Sequence, residues 1–198
     1  MTYPEFTALL MASARPVILL EGRRSISSSD FRRAHTTARH LAEAFPHALF
    51  RSGNADGSDQ AFTDGIATVD PSRLQIIAPY QSHRRQYRTP GATYESPDSL
   101  NRAQEETIAG HTIQATPRNS RLIDRRADSG PLAAKARYLM RDTMKVTGHS
   151  ETFPPPTVAL FYVSLDDPEA GGTGHTIRVC RQHGVPYAFQ NSWDSWFE

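Results

Sequence analysis

One cysteine, Cys180, is all the thiol chemistry this sequence offers, so an internal disulfide is excluded and a reducing compartment fits. Net charge is equally scarce. The 22 Lys and Arg against 21 Asp and Glu leave +1, which argues against a broad cationic surface for a nucleic-acid backbone, although a local basic stripe escapes a whole-chain count. No apolar run approaches the about 20 residues needed to cross a membrane. The start, Met1-Thr2-Tyr3-Pro4-Glu5-Phe6, lacks the basic stretch and apolar core of a signal peptide. A soluble cytoplasmic protein without a membrane partner is expected. Chemical motifs are missing too. There is no Gly-x-Gly-x-x-Gly after the first apolar run and no Gly-x-x-x-x-Gly-Lys-Ser/Thr, against dinucleotide dehydrogenase and ATPase chemistry. Gly-x-Ser-x-Gly is absent, and no Cys/His cluster has metal-ligand spacing, so neither a metal nor another cofactor is expected.

What the 198 residues do contain is alternation of apolar runs and helical periods, in a chain long enough to bury a continuous core as one domain over 1–198. The stretch 15–22 holds a solid apolar run without alternation and reads as a strand covered on both faces. Phe31, Ala34, Ala38, Leu41, Ala42 and Phe45 then recur at helical spacing, with Ser28, Ser29 or Asp30 as N-cap and Pro46 as stop. Residues 47–51 read as a second strand, 58–67 as a helix and 74–80 as a third strand. Residues 81–130 break this regularity and read as an insertion, far longer than ordinary loops. Order resumes with a helix from Pro131, a fourth strand at 157–163, a short helix from Thr176 and a fifth strand at 185–189, where Pro186 suggests an edge. The expected fold is a Rossmann-like α/β domain. Its mostly parallel, doubly wound sheet has about five strands, helices on both faces and a long insertion after strand three. The aromatic ending, Trp193-Asp194-Ser195-Trp196-Phe197, is expected to dock within the chain, with a homodimer as the alternative.

Two glycine-containing turns carry the functional signal. Ser52-Gly53-Asn54-Ala55-Asp56-Gly57 follows strand two, and Gly171-Gly172-Thr173-Gly174-His175-Thr176 follows strand four. Turns between a strand and a helix aim unpaired N–H groups at their surroundings and favour an anion there. In a parallel sheet all strand C-termini share one edge, so distant turns converge. The expected pocket wall is Gly22 and Arg23 after strand one, then Ser52, Gly53, Asp56, Gly57 and Ser58, then Gly171, Gly172, Thr173, Gly174 and Thr176. The second turn suits a phosphate and Asp56 the hydroxyls of a ribose. Either turn alone is often only a tight connection. Cys180 reads as a buried, inert thiol. The arginines of the insertion read mostly as solvated surface, except that Tyr80, His83 and Arg84 follow strand three directly and so begin at the ligand edge.

Phe50-Arg51-Ser52-Gly53-Asn54-Ala55-Asp56-Gly57-Ser58-Asp59 paired with Gly171-Gly172-Thr173-Gly174-His175-Thr176-Ile177-Arg178 resembles the SLOG superfamily. That superfamily groups DprA-type DNA-processing proteins, the "lonely guy" (LOG) phosphoribohydrolases and YspA-like proteins. The resemblance covers strands one to three and the chain from about Pro131 onward. It implies a nucleotide-like small molecule held by Gly53, Gly57, Gly172, Gly174 and Thr176. The hydrolase members carry Pro-Gly-Gly-x-Gly-Thr-x-x-Glu; here Ala170 stands at the Pro, His175 at the Thr and Arg178 at the Glu. The pattern is closer to the YspA-like one, and binding or sensing of a nucleotide-derived phosphate ligand is the leading expectation. Two alternatives stay open. One is N-glycosidic hydrolysis of a nucleoside 5′-monophosphate by a displaced carboxylate among Glu21, Asp56, Asp59, Asp166 and Asp167. The other is DprA-like binding of single-stranded DNA, which the near-neutral charge disfavours.

Overall fold

In the computed structural model, residues 1–53 and 55–197 are described. Six strands form the sheet: β1 (Val17–Gly22), β2 (Leu49–Ser52), β3 (Leu74–Ile77), β4 (Thr93–Glu95), β5 (Val158–Tyr162) and β6 (Tyr187–Phe189). Their spatial order is β4-β3-β2-β1-β5-β6, and every pairing is parallel. The architecture is the Rossmann-like doubly wound α/β fold. Strand order reverses between β1 and β5, so a crevice opens beyond their C-terminal ends, the place where this topology takes ligands.

The apolar runs become central strands because both of their faces are covered. Ile18 and Leu20 of β1 point toward α1 (Tyr3–Met11), α2 (Ser28–Ala44) and α3 (Ser58–Ala67), in a core with Phe50, Phe62 and Leu160. Leu19 points the other way, into a core with Ala159, Phe161, Ile177 and Val179 beneath α7 (Gly171–Gln182). A third cluster joins α4 (Arg102–Ala115) and α5 (Ser120–Ile123) to α6 (Pro131–Thr147) through Ile108, Ile123, Met140 and Met144. The last helix, α8 (Gln190–Trp193), buries Trp193, whose indole N–H donates to the Phe161 carbonyl at 3.3 Å. Trp196 packs tilted against Phe6 at 4.7 Å between ring centroids, so the aromatic ending docks within the chain. β6 lies at the sheet edge, in accord with Pro186.

Three expectations about elements need correction. The stretch 81–130 is built into the fold: β4 extends the sheet to six strands and α4 covers α6. Its strand is only three residues long, and α4 buries just Ile108, Ala109 and Thr112, too few for a clear period. The cap of α2 is Ser27, whose hydroxyl accepts from the Asp30 N–H at 3.1 Å. Most consequentially, α7 begins at Gly171 rather than Thr176, so the glycine run is itself the first turn of the helix. Gly174 is needed there because a Cβ would lie 1.7 Å from the Glu169 carbonyl oxygen. Among the described residues, no helix is long and apolar enough to cross a membrane.

Candidate functional site

Gly22, the last residue of β1, is where the two turns meet. Its N–H donates to Asp59 Oδ1 of α3 at 3.2 Å, and its carbonyl accepts from the Thr173 hydroxyl of α7 at 3.1 Å. Residues separated by more than a hundred positions thereby share one edge of the sheet. A cleft of about 1140 Å³ opens over this junction. Its floor holds Glu21, Gly22, Asp59 and Asp142, one wall is Ala170 to Thr173, and the opposite wall is α6 at Tyr138 and Arg141. Arg23, Arg24, Arg118, Lys135 and Arg178 add positive charge around it.

The expected site residues divide sharply. Gly22, Arg23, Gly171, Gly172 and Thr173 line the cleft. Thr173 is held by Gly22, while Gly171 and Gly172 offer first-turn amides that have no partner within a helix. Among the described residues no side chain caps α7. Asp56 lines an adjoining chamber instead and pairs with Arg84 at 2.6 Å. Ser52, Gly53, Gly57, Ser58, Gly174 and Thr176 stand outside the lining of the cleft and support it.

The support is specific. Ser52 donates its hydroxyl to the Leu20 carbonyl at 2.7 Å, pinning β2 to β1. Gly57 has φ +79 and lies against the carbonyls of Arg23 and Arg24. Next to it, Ser58 donates both its N–H and its hydroxyl to the Arg23 carbonyl, each at 2.9 Å. The amide that was expected to face an anion at the first turn is therefore already bound to protein. Gly53 abuts the Arg141 guanidinium and the Asp59 carboxylate, and the Thr176 hydroxyl faces Glu21 Oε1 at 3.0 Å. Asn54 lies outside the described residues.

Beneath the cleft lies a buried charge network that motif reasoning did not assemble. Lys145 Nζ is 2.6 Å from Glu21 Oε2 and 2.9 Å from Asp142 Oδ1. Arg141 reaches Asp59 and Asp142, each at 3.2 Å, and donates through Nε to the Ile77 carbonyl at 2.9 Å. Three carboxylates thus share two cations. Burial, opposed by Lys145 and reinforced by Asp142 and Asp59, raises the Glu21 carboxyl to about 7. Burial also raises Asp59, against Lys145 and Arg141. The signal for this network was present in α6, where Arg141, Asp142 and Lys145 interrupt an apolar series of Met140, Met144 and Val146.

No family model matches the sequence, and no curated protein matches it. The SLOG resemblance accordingly rests on the two motifs alone. Among the described residues, no group of three or more His, Cys, Asp or Glu is placed to hold a metal ion. Cys180 is buried, and burial pushes its thiol far up, which leaves it inert as a nucleophile.

His175 closes the base of the cleft with both ring nitrogens engaged, Nδ1 with the Thr116 hydroxyl at 2.9 Å and Nε2 with the Thr143 hydroxyl at 3.0 Å. At 1% exposure, burial drives its pKa down to about 4 from 6.5. A base depressed in this way contributes stability in full above pH 6.5 and loses it as pH falls toward 4, by about 3 kcal/mol at most. Glu21 works in the opposite sense, because its raised pKa favours the folded state below pH 4.5 and less so as pH rises through 7. A difference measurement separates them. Between pH 7 and pH 4 the wild type is expected to lose up to about 3 kcal/mol more than His175→Gln in denaturant unfolding. A gap between the two proteins that stays constant with pH would contradict this assignment.

Proposed function

We propose that this protein binds or senses a nucleotide-derived, phosphate-bearing small molecule in the cleft beyond β1 and β5, with the phosphate on the first turn of α7. The observation that carries the reading is the uncapped start of α7, opening into a cleft of about 1140 Å³ with arginines and Lys135 around it. Free amides and the helix dipole favour an anion, and the glycines at 171 and 172 let it approach the backbone. Negative charge on the floor disfavours an anionic group placed directly over Glu21, Asp59 and Asp142. The buried carboxylates of Glu21, Asp59 and Asp142 are better matched to neutral donors such as ribose hydroxyls or an exocyclic amine.

Thermal-shift and calorimetric titration with a panel of nucleoside mono- and diphosphates tests this. A true ligand at one hundred times its Kd is expected to add about 2.7 kcal/mol to stability. Gly172→Asp, which places a carboxylate on the first turn of α7, is expected to weaken binding at least tenfold. Silence from every phosphorylated nucleoside would remove the proposal.

One observation favours hydrolysis as a second reading: Glu21 lines the cleft with a pKa near neutrality, which suits a general acid or base. Free base released from nucleoside 5′-monophosphates, and lost in Glu21→Gln, would establish turnover. No release of base from any nucleotide bound by the protein would restrict the site to binding.

A further inference from the structure

A side chamber of about 190 Å³, equal to the liquid volume of about six waters, adjoins the main cleft. It is lined by Arg24, Ala55, Asp56, His83, Arg84, Tyr138 and Arg141. Arg24, Ala55, Tyr138 and Arg141 belong to both spaces, so one ligand can occupy the two together. Within the lining itself Arg24, Arg84 and Arg141 face the single carboxylate of Asp56, while Asp59 and Asp142, the partners of Arg141, line the main cleft.

We propose that this chamber is a second anion subsite, so that the ligand carries two anionic groups, one at the start of α7 and the other between Arg24 and Arg84. The inference rests on the reading of the cleft as a nucleotide site and adds the class of nucleotide it takes.

The backbone is arranged for the purpose. Among the described residues Arg84 is the one non-glycine residue with positive φ, at φ 45 and ψ 41. That conformation costs about 1–2 kcal/mol and is kept where surrounding structure requires it. Here it sets His83 and Arg84, adjacent in the chain, into the same chamber. Tyr138 supports both sides: the Arg24 guanidinium lies 5.5 Å from its ring centroid, and its hydroxyl is 3.2 Å from His83 Nε2. Arg84 lies 4.9 Å from the Tyr87 ring centroid. Stacking on an aromatic face leaves the guanidinium edge for a planar or tetrahedral oxyanion. The local field agrees, since burial first, then Arg141, Arg84, Arg24 and Arg88, push the His83 ring down to about 4. It is neutral at physiological pH.

Asp56 is the competitor. Its carboxylate sits on Arg84 at 2.6 Å, yet the Asp56 side chain is 67% exposed against 25% for Arg84. An incoming phosphate can therefore displace it toward solvent. Opposite effects of two charge-removing substitutions follow. Arg84→Gln weakens the second anion, and Asp56→Asn strengthens it by removing the resident carboxylate.

Calorimetry at fixed ionic strength with adenosine 5′-monophosphate, adenosine 5′-diphosphate and adenosine 3′,5′-bisphosphate, repeated with the guanosine, cytidine and uridine series, reads this directly. For at least one base, a doubly phosphorylated probe is expected to bind wild type at least tenfold more tightly than the monophosphate. The preferred probe shows whether the second group is contiguous with the first or lies across the sugar. That advantage is expected to fall below threefold in Arg84→Gln and to grow severalfold in Asp56→Asn. Equal affinity for singly and doubly phosphorylated probes, or an advantage untouched by Arg84→Gln, overturns the subsite and leaves the nucleotide site standing. Absence of binding by every probe overturns the nucleotide site and the subsite with it.

Discussion

Lys145→Met is expected to destabilise the protein by about 3–5 kcal/mol, because it removes the cation that Glu21 and Asp142 share in a fully buried position. For a chain of this size that loss corresponds to a fall of roughly 10 °C in Tm. The destabilisation should be larger at pH 8 than at pH 5, since a Glu21 left without its partner is tolerated only as the neutral acid. Adding Glu21→Gln to Lys145→Met is expected to recover part of the stability, as removing both members of a buried pair costs less than orphaning one. Chemical denaturation of the wild type, both single variants and the double variant gives the coupling. A loss below about 1 kcal/mol in Lys145→Met would mean that the network is more solvated than its geometry indicates.

Gly174→Ala is the second substitution with a large expected effect. The added methyl group meets the Glu169 carbonyl oxygen at 1.7 Å, a backbone atom that cannot swing aside as a side-chain tip can. The loop before α7 must move, and with it the Glu169 carboxylate, which pairs with Arg181 at 2.6 Å and Arg178 at 3.5 Å. Overpacking of this kind costs about 1–3 kcal/mol. It also displaces the first turn of α7, so ligand affinity is expected to fall at least tenfold. Gly110→Ala is the matched control on α4, where an added Cβ meets nothing within 4 Å. There the change is expected to be neutral or stabilising by up to about 1 kcal/mol. Equal behaviour of the two variants in thermal melts would show that the contact at Gly174 relaxes freely.

The lining of the cleft was partly legible in the sequence. A solid apolar run followed by a glycine-bearing turn marks a parallel strand and its exit, as at β1, β2 and β5, and apolar runs without such a turn marked β3 and β6. The exception, β4, is three residues long and borrows its pairing from β3, so its own side chains carry no readable alternation. Gly22, Arg23 and residues 171–173 were placed at the cleft by the rule that strand C-termini share an edge. Gly57 and Ser58 obey the same rule and reach the same edge, but their donors are spent on the Arg23 carbonyl, a contact between loops that no local pattern encodes.

Local order, then, belonged largely to the sequence: five of the strands, the helices outside 81–130, which sheet edge collects the turns, and that Cys180 is buried without an internal disulfide partner. These follow from periodicity and from the conformations glycine and proline permit, which act over a few residues. Only tertiary structure decided that α6 would set Arg141, Asp142 and Lys145 beneath β1 and α3, and that Arg24, Arg84 and Tyr138 would enclose a second chamber. Charge interactions of this sort depend on distance and burial, and both are properties of the packed chain.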